Sequence, residues 1–170
     1  MKQGVGPDIW LAGDPSDLQK YMNNGIKGIV TNTVVQKELV QKYGSLTNLT
    51  KEYLNITDKK IAIEIDGNST QELLEVGEKF TELSDQIILK IPCSQIALEA
   101  FSVLKKEGVE TFCTTVFSVS QAAVSAQAGA DHILPFCEPF KDLGLDPTKL
   151  VKDCCRLVSY PSTSKDKFIL

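Results

Sequence analysis

Lys90 interrupts a short apolar run, Gln86-Ile-Ile-Leu-Lys-Ile-Pro-Cys93. A run of this length, bounded by a polar residue and then by proline, reads as a strand buried on both faces, with the lysine near its carboxyl end. Burying an ammonium there is costly, and the usual remedies are pairing with an acid or loss of the proton. An amine that sheds its proton is a nucleophile toward carbonyl carbon, which is what Schiff-base chemistry requires. The ordinary alternative is a lysine that leaves the sheet edge and carries its amine into water. The rest of the chain bears on that choice. Other strand ends carry Ala12, Thr31-Asn32, Glu64, Thr114 and Pro135-Phe136. Hydroxyls, an amide and a carboxylate thus come from different strands. Class I aldol chemistry uses that inventory: the lysine attacks a ketone, a carboxylate and a hydroxyl hold the water that leaves or returns, and an amide binds a sugar hydroxyl. The competing role for each partner is to satisfy loop backbone.

The elements that must position these residues follow from pattern and punctuation. After a short lead-in over residues 1–7, Asp8-Ile-Trp-Leu-Ala12 reads as a first strand. Gly13-Asp14 makes a turn, and Pro15 opens a helix that reaches about Asn24. Gly28-Ile-Val-Thr31 is a second strand, and Thr33 caps a helix with Val34, Val35, Leu39 and Val40 as its apolar positions. A short amphipathic segment over residues 49–54 leads to the third strand, Lys60-Ile-Ala-Ile-Glu-Ile65. Asn68 or Ser69 caps a helix over 70–84, and the lysine-bearing strand and a helix over 94–107 follow. A strand over 109–114, a small-residue helix over 118–128 and a strand over 131–135 come next. Asp146 caps a helix over 147–158, and Lys167-Phe-Ile-Leu170 opens another strand. Repeated βα units of this kind mean parallel strands with helices outside. A doubly wound sheet and a (β/α)8 barrel both satisfy the pattern. No glycine-rich fingerprint follows the first strand, while a barrel takes typically about 250 residues. In either architecture the site lies at the carboxyl ends of the strands.

Composition sets the outer bounds. With 170 residues, 42% hydrophobic and 24% charged, the chain suits one soluble domain with a substantial core. A net charge of −4, with lysines and acids interspersed, argues against a nucleic-acid partner. No apolar run approaches the roughly 20 residues of a membrane span, and no signal pattern opens the chain. Five cysteines without metal-ligand spacing read as reduced thiols of a cytoplasmic protein. His132, the single histidine, has no partner histidine for a metal site and reads as a core or loop residue.

Several segments in register with these strand ends, Gly28-Ile-Val-Thr-Asn32, Ile61-Ala-Ile-Glu64, Ile88-Leu-Lys-Ile-Pro92, Thr111-Phe-Cys-Thr-Thr-Val-Phe-Ser118, Gln121 through Ala128-Gly-Ala130, and Pro135-Phe136, resemble in order the transaldolase and fructose-6-phosphate aldolase family. The resemblance implies an α/β fold of the (β/α)8 TIM-barrel type in a single domain, incomplete at the C-terminus. It implies sugar phosphate substrates handled through a lysine Schiff base, with no metal or organic cofactor. Lys90 matches the Schiff-base lysine, and Glu64 and Thr114 match the pair that holds the catalytic water. Thr31 and Asn32 match the Thr-Asn of a Thr-Thr-Asn-Pro motif whose asparagine contacts substrate. Phe136 matches the aromatic residue after the sixth strand.

The chain also departs from the family pattern. Ala12 stands where the family has an acid/base aspartate, with Asp14 as the nearest carboxylate. Thr33 replaces the motif's proline. Cys137-Glu-Pro-Phe140 replaces the segment with a phosphate-binding arginine, leaving Lys141 as the nearest cation. Two functions follow as expectations: a transaldolase-like class I aldolase or transferase, or an impaired member acting as a binding or structural subunit. The expected partners are a sugar phosphate and either further copies of this chain or a chain that completes the barrel. Lys90 is expected at the centre of the strands' carboxyl ends, with Glu64 and Thr114 within one water of it.

Overall fold

The computed structural model describes residues 8–22, 25–158 and 167–168. Strands and helices alternate: β1 (Trp10–Leu11), α1 (Pro15–Leu18) running into a 3-10 turn (Gln19–Tyr21), β2 (Gly28–Val30), α2 (Thr33–Tyr43), α3 (Leu46–Ile56), β3 (Lys60–Glu64), α4 (Thr70–Thr81), β4 (Ile87–Pro92), α5 (Gln95–Lys106), β5 (Thr111–Val116), α6 (Val119–Ala128), β6 (His132–Pro135), α7 (Glu138–Asp142), α8 (Pro147–Val158) and β7 (Lys167–Phe168). The sheet order is β1-β2-β3-β4-β5-β6-β7, with every neighbouring pair parallel. A doubly wound sheet reverses its strand order at a switch point, and this one does not.

The sheet is curled. Trp10 on β1 and Phe112 on β5 meet edge to face with ring centroids 5.1 Å apart. Four strand spacings in a flat sheet would separate them by about 19 Å. The architecture is therefore an incomplete (β/α)8 barrel. Among the described residues, no pairing joins β7 back to β1.

Alternation along the strands sorts side chains into two cores. Ile29, Ile61, Ile63, Leu89, Ile91, Cys113 and Ile133 point outward and pack with helix residues such as Leu49, Tyr53, Leu73 and Phe101. The intervening residues point inward, where Ala62, Ile88 and Phe112 pack with Trp10, Val30 and Leu134. The same parity carries Glu64, Lys90 and Thr114 to the inner side. Gly28 leaves room for the Trp10 ring, since a Cβ there would sit 2.5 Å from Trp10 Cζ3.

Helix caps fix where five of the helices begin. Asn32, Ser45, Ser69, Ser94 and Ser118 each accept a hydrogen bond from the backbone N–H three residues on, each such cap being worth typically about 1 kcal/mol.

Several expectations are corrected here. Asn32, not Thr33, caps α2. Gly44 ends α2 in the left-handed conformation at φ 83°, and Ser45 then starts a full helix, α3, where only a short segment over 49–54 was expected. The first helix is one turn plus a 3-10 turn ending at Tyr21. Its expected end at Asn24, the lead-in over 1–7, residues 159–166 and the strand positions 169–170 lie outside the described residues. The fifth strand occupies Thr111–Val116, not 109–114, because a register shift between Cys113 and Val116 lengthens its carboxyl end. The short helix α7 was not anticipated. Its sequence, Glu-Pro-Phe-Lys-Asp, is too brief to show a period.

Candidate active site

Glu64 and Lys90 are register partners on β3 and β4. Their side chains, each 8% exposed, meet directly: Lys90 Nζ donates to Glu64 Oε2 at 2.6 Å. The same ammonium donates to the backbone carbonyl of Thr31 at 2.6 Å. The expected geometry placed Glu64 up to one water away, and direct contact replaces it. Parity explains the difference. Facing residues on adjacent parallel strands project from the same side of the sheet, and the lysine stem is long enough to reach across.

Thr31 holds this contact by a route the sequence reading did not foresee. Its hydroxyl donates to Ala62 O at 3.1 Å and accepts from the Glu64 N–H at 2.8 Å and from Gln36 Nε2 at 2.7 Å. A hydroxyl has one proton and two lone pairs, so nothing is left for a ligand. Thr31 was expected to orient substrate; its side chain ties β2 to β3 and α2, and its carbonyl faces Lys90. Asn32 is exposed, and its Oδ1 is occupied by the helix cap at 2.9 Å from the Val35 N–H. The Nδ2 end remains for other partners.

Thr114 lies on the inner side of β5, 4% exposed, and is the register partner of Pro92, two residues beyond Lys90. No hydrogen bond to its hydroxyl occurs among the described residues. Thr115, next to it, has φ 55°, a conformation that a β-branched residue adopts only under constraint. The constraint is visible: Thr115 Oγ1 donates to Thr114 O at 2.7 Å and accepts from the Cys93 N–H at 3.1 Å. The bulge and this clasp together set the direction of Thr114, and such irregularities concentrate next to functional sites.

Phe136 follows β6 and is 42% exposed. Phe117, after β5, meets it edge to face at 5.6 Å and stacks on Phe140 at 6.5 Å. An apolar wall thus rises over the carboxyl ends of β5 and β6.

The residues that stood nearest to the departures are engaged elsewhere. Asp14 accepts from Lys42 Nζ at 2.6 Å, from the Tyr43 hydroxyl at 2.7 Å and from Ser16 Oγ at 2.7 Å. Burial works against its ionisation, but the hydrogen bonds from Lys42, Tyr43 and Ser16 win and hold the carboxyl well below the usual range. It is a cap and clamp for α1 and α2, not a stand-in for an acid/base at Ala12. Lys141 pairs with Glu138 at 3.3 Å on the surface. His132 lies against Phe112 at 4.7 Å between ring centroids, and its Nε2 is 3.0 Å from Glu110 Oε1, a core role as expected. Among the described residues, no group of three His, Cys, Asp or Glu side chains is placed to hold a metal ion. No helix of the described residues is long and apolar enough to cross a membrane.

With this geometry established, comparison with known proteins gives one consistent result. The sequence profile of the family described as Transaldolase/Fructose-6-phosphate aldolase matches residues 13–163. The chain belongs to this family. Among curated relatives, a probable transaldolase of Streptococcus equi subsp. zooepidemicus is 31% identical over 127 residues, 74% of this chain and 59% of its own length. One from Coprothermobacter proteolyticus is 32% identical over 127 residues, 74% and 58% of the two lengths. One from Brevibacillus brevis is 32% identical over 133 residues, 78% and 62%. The chain thus spans about six-tenths of the length of the curated relatives it matches.

For a transaldolase-family chain, two further residues matter that sequence reasoning missed. Thr115 carries no sequence signal beyond its type. Gln36 does carry one. The residues that turn α2 toward the barrel are 36, 39, 40 and 43, a helical stripe whose first member is polar, whereas Val34, taken as apolar and inward, is 68% exposed.

Proposed function

We propose that this chain is a transaldolase-like class I aldolase or transferase that captures the carbonyl of a sugar phosphate as a Schiff base on Lys90. The observation that supports this reading best is the buried, inward amine in direct contact with a carboxylate. In the proposed sequence, Glu64 Oε2 takes a proton from the Lys90 ammonium. The amine then attacks the ketone carbon, and a proton passes from the adduct's nitrogen to the former carbonyl oxygen to give a carbinolamine. Glu64 returns a proton to that hydroxyl, which leaves as water, and an iminium remains. The Thr114 hydroxyl would hold that water. The iminium withdraws electrons from the neighbouring carbon–carbon bond, whose cleavage, with the proton of the hydroxyl on the departing carbon passing to water, releases an aldehyde and leaves an enamine on Lys90. Addition of the enamine to a second aldehyde, whose oxygen takes up a proton, followed by hydrolysis of the new iminium is transfer, and protonation of the enamine followed by hydrolysis is aldol cleavage. The iminium is itself the electron sink, so the scheme uses no metal or organic cofactor. Asn32 Nδ2 and the Phe136 wall would meet the substrate. A cytoplasmic setting suits such substrates.

A second reading is a catalytically impaired member that serves as a binding or structural subunit. The observations that favour it are Ala12 at the end of β1, Asp14 committed to Lys42 and Tyr43, and Lys141 paired with Glu138. In either reading we propose that the chain associates with further copies of itself or with a chain that pairs with its edge strands, since unpaired strand edges recruit partners. Borohydride reduction in the presence of fructose 6-phosphate, followed by peptide mass mapping, tests capture. The expected result is an adduct on Lys90 that Lys90→Met abolishes. No adduct would end the first reading, while an adduct without turnover would select the second. Light scattering on the eluting protein tests association, and a monomer throughout would remove that part.

A further inference from the structure

Gln36 is the one buried residue of α2, and it is polar. Its amide nitrogen has two hydrogens and both are used, toward Thr31 Oγ1 at 2.7 Å and toward the Glu64 carbonyl at 2.9 Å. Thr31 and Glu64 are also the two residues that receive the Lys90 ammonium, through a backbone carbonyl and a carboxylate, each at 2.6 Å. One side chain from a helix on the outside of the barrel therefore grips, at other atoms, both residues that supply the amine's acceptors on the inside. Filling space at this position calls only for an apolar side chain. Such a side chain would leave the Glu64 carbonyl and one lone pair of Thr31 without this donor.

We propose that Gln36 is a positioning residue for Lys90. Through the Thr31 hydroxyl and the Glu64 backbone it fixes the separation of the two acceptors, and so the direction in which Nζ presents its remaining valence. This rests on the reading of Lys90 as the carbonyl-capturing amine. Aim matters because a misplacement on the order of 1 Å costs about 100-fold in rate. Glu64 is the charged group that faces Lys90, and the Thr31 carbonyl is the neutral one. Both hold Nζ in place, so loosening them changes how it meets an incoming carbonyl.

Reductive methylation with formaldehyde and cyanoborohydride, mapped residue by residue from neutral to alkaline pH, reports on Lys90 without needing a substrate. The variants are Gln36→Met, which keeps length and loses both donors, and Thr31→Val, which keeps shape and loses the hydroxyl. Each is expected to change the rate of Lys90 modification several-fold at every pH, with the exposed Lys51 and Lys106 as internal references. The double variant is expected to move it no further than the larger single change, because both act on one connection. Capture of dihydroxyacetone, trapped with borohydride, should fall by about 10- to 100-fold in each. An unchanged Lys90 profile in variants whose circular dichroism matches the parent would overturn the proposal and leave Gln36 as packing. If Gln36→Met does not fold, Thr31→Val carries the same test. A shifted methylation profile in a protein whose parent captures neither dihydroxyacetone nor fructose 6-phosphate would sink the proposed function and leave the positioning role standing.

Discussion

Glu64 and Lys90 face each other on adjacent parallel strands and join their charges inside the barrel at 2.6 Å, each with 8% of its side chain exposed. Desolvation offsets much of the attraction in such a pair, so its net contribution to folding is small, while losing one partner is costly.

Glu64→Gln should therefore destabilise the chain by about 3–5 kcal/mol, because an ammonium stays buried with only the Thr31 carbonyl beside it. Lys90→Met with Glu64→Leu should recover most of that loss. Urea unfolding of the three proteins checks both statements. A Glu64→Gln midpoint equal to the parent's would contradict a buried, paired Lys90.

Ala12→Asp places a carboxylate at the end of β1. In a parent that forms the Lys90 adduct, the substitution should raise carbon–carbon cleavage and leave adduct formation largely unchanged, with a ceiling of about 10²- to 10⁴-fold for a general acid/base. Product release from fructose 6-phosphate, measured alongside borohydride trapping, separates the two steps. Equal cleavage in both proteins would mean that the other departures limit turnover.

Gly28→Ala should cost about 1–3 kcal/mol, because its Cβ would meet the Trp10 ring at 2.5 Å and the Lys60 carbonyl more closely still. A shift in the thermal midpoint and in tryptophan emission are the expected signs. Parent-like values in both would show that β1 has slack to move.

The depth of the sequence signal differs between parts of the chain. The parallel βα series was legible because short apolar runs and turn residues mark it out, whereas the inward lysine on β4 and its carboxylate on β3 became legible through the resemblance to a family. The role of Thr31 was not legible. Its type suits a ligand contact, and only the positions of Ala62, Glu64 and Gln36 reveal that its hydroxyl is already saturated. The register shift in β5 was hidden for a similar reason: Thr114 and Thr115 are both good strand formers, and the strain at Thr115 arises from its clasp to Cys93. Gln36 was overlooked because hydrophobic periodicity scores a glutamine as outward-facing, whatever the stripe around it implies.

Glu110 sets a pH dependence at the other end of the barrel. The hydrogen bond with His132 is the main cause of its lowered value, burial opposes it, and Lys60 at 3.0 Å adds to it, bringing the carboxyl from 4.5 to about 2. A depressed carboxyl contributes stability above its unfolded value, and that contribution is lost as pH falls through the folded one. Part of the fold's stability should thus disappear between about pH 4.5 and about 2. Glu110→Gln should flatten the stability curve over that window, as followed by urea midpoints against pH. An unaltered slope would place the acid sensitivity elsewhere.

The meeting of Trp10 with Phe112 also says something about the order of folding. Among the described residues every strand pairs only with those next to it in the chain, so the ladder can grow from short loops, whose closure entropy is modest. The indole contact across the barrel cannot form that way. It waits until β2, β3 and β4 are laid down and bent between its two partners. Trp10 is the single tryptophan, so its emission is a built-in clock for that late step. In refolding experiments its signal should trail the recovery of far-ultraviolet circular dichroism.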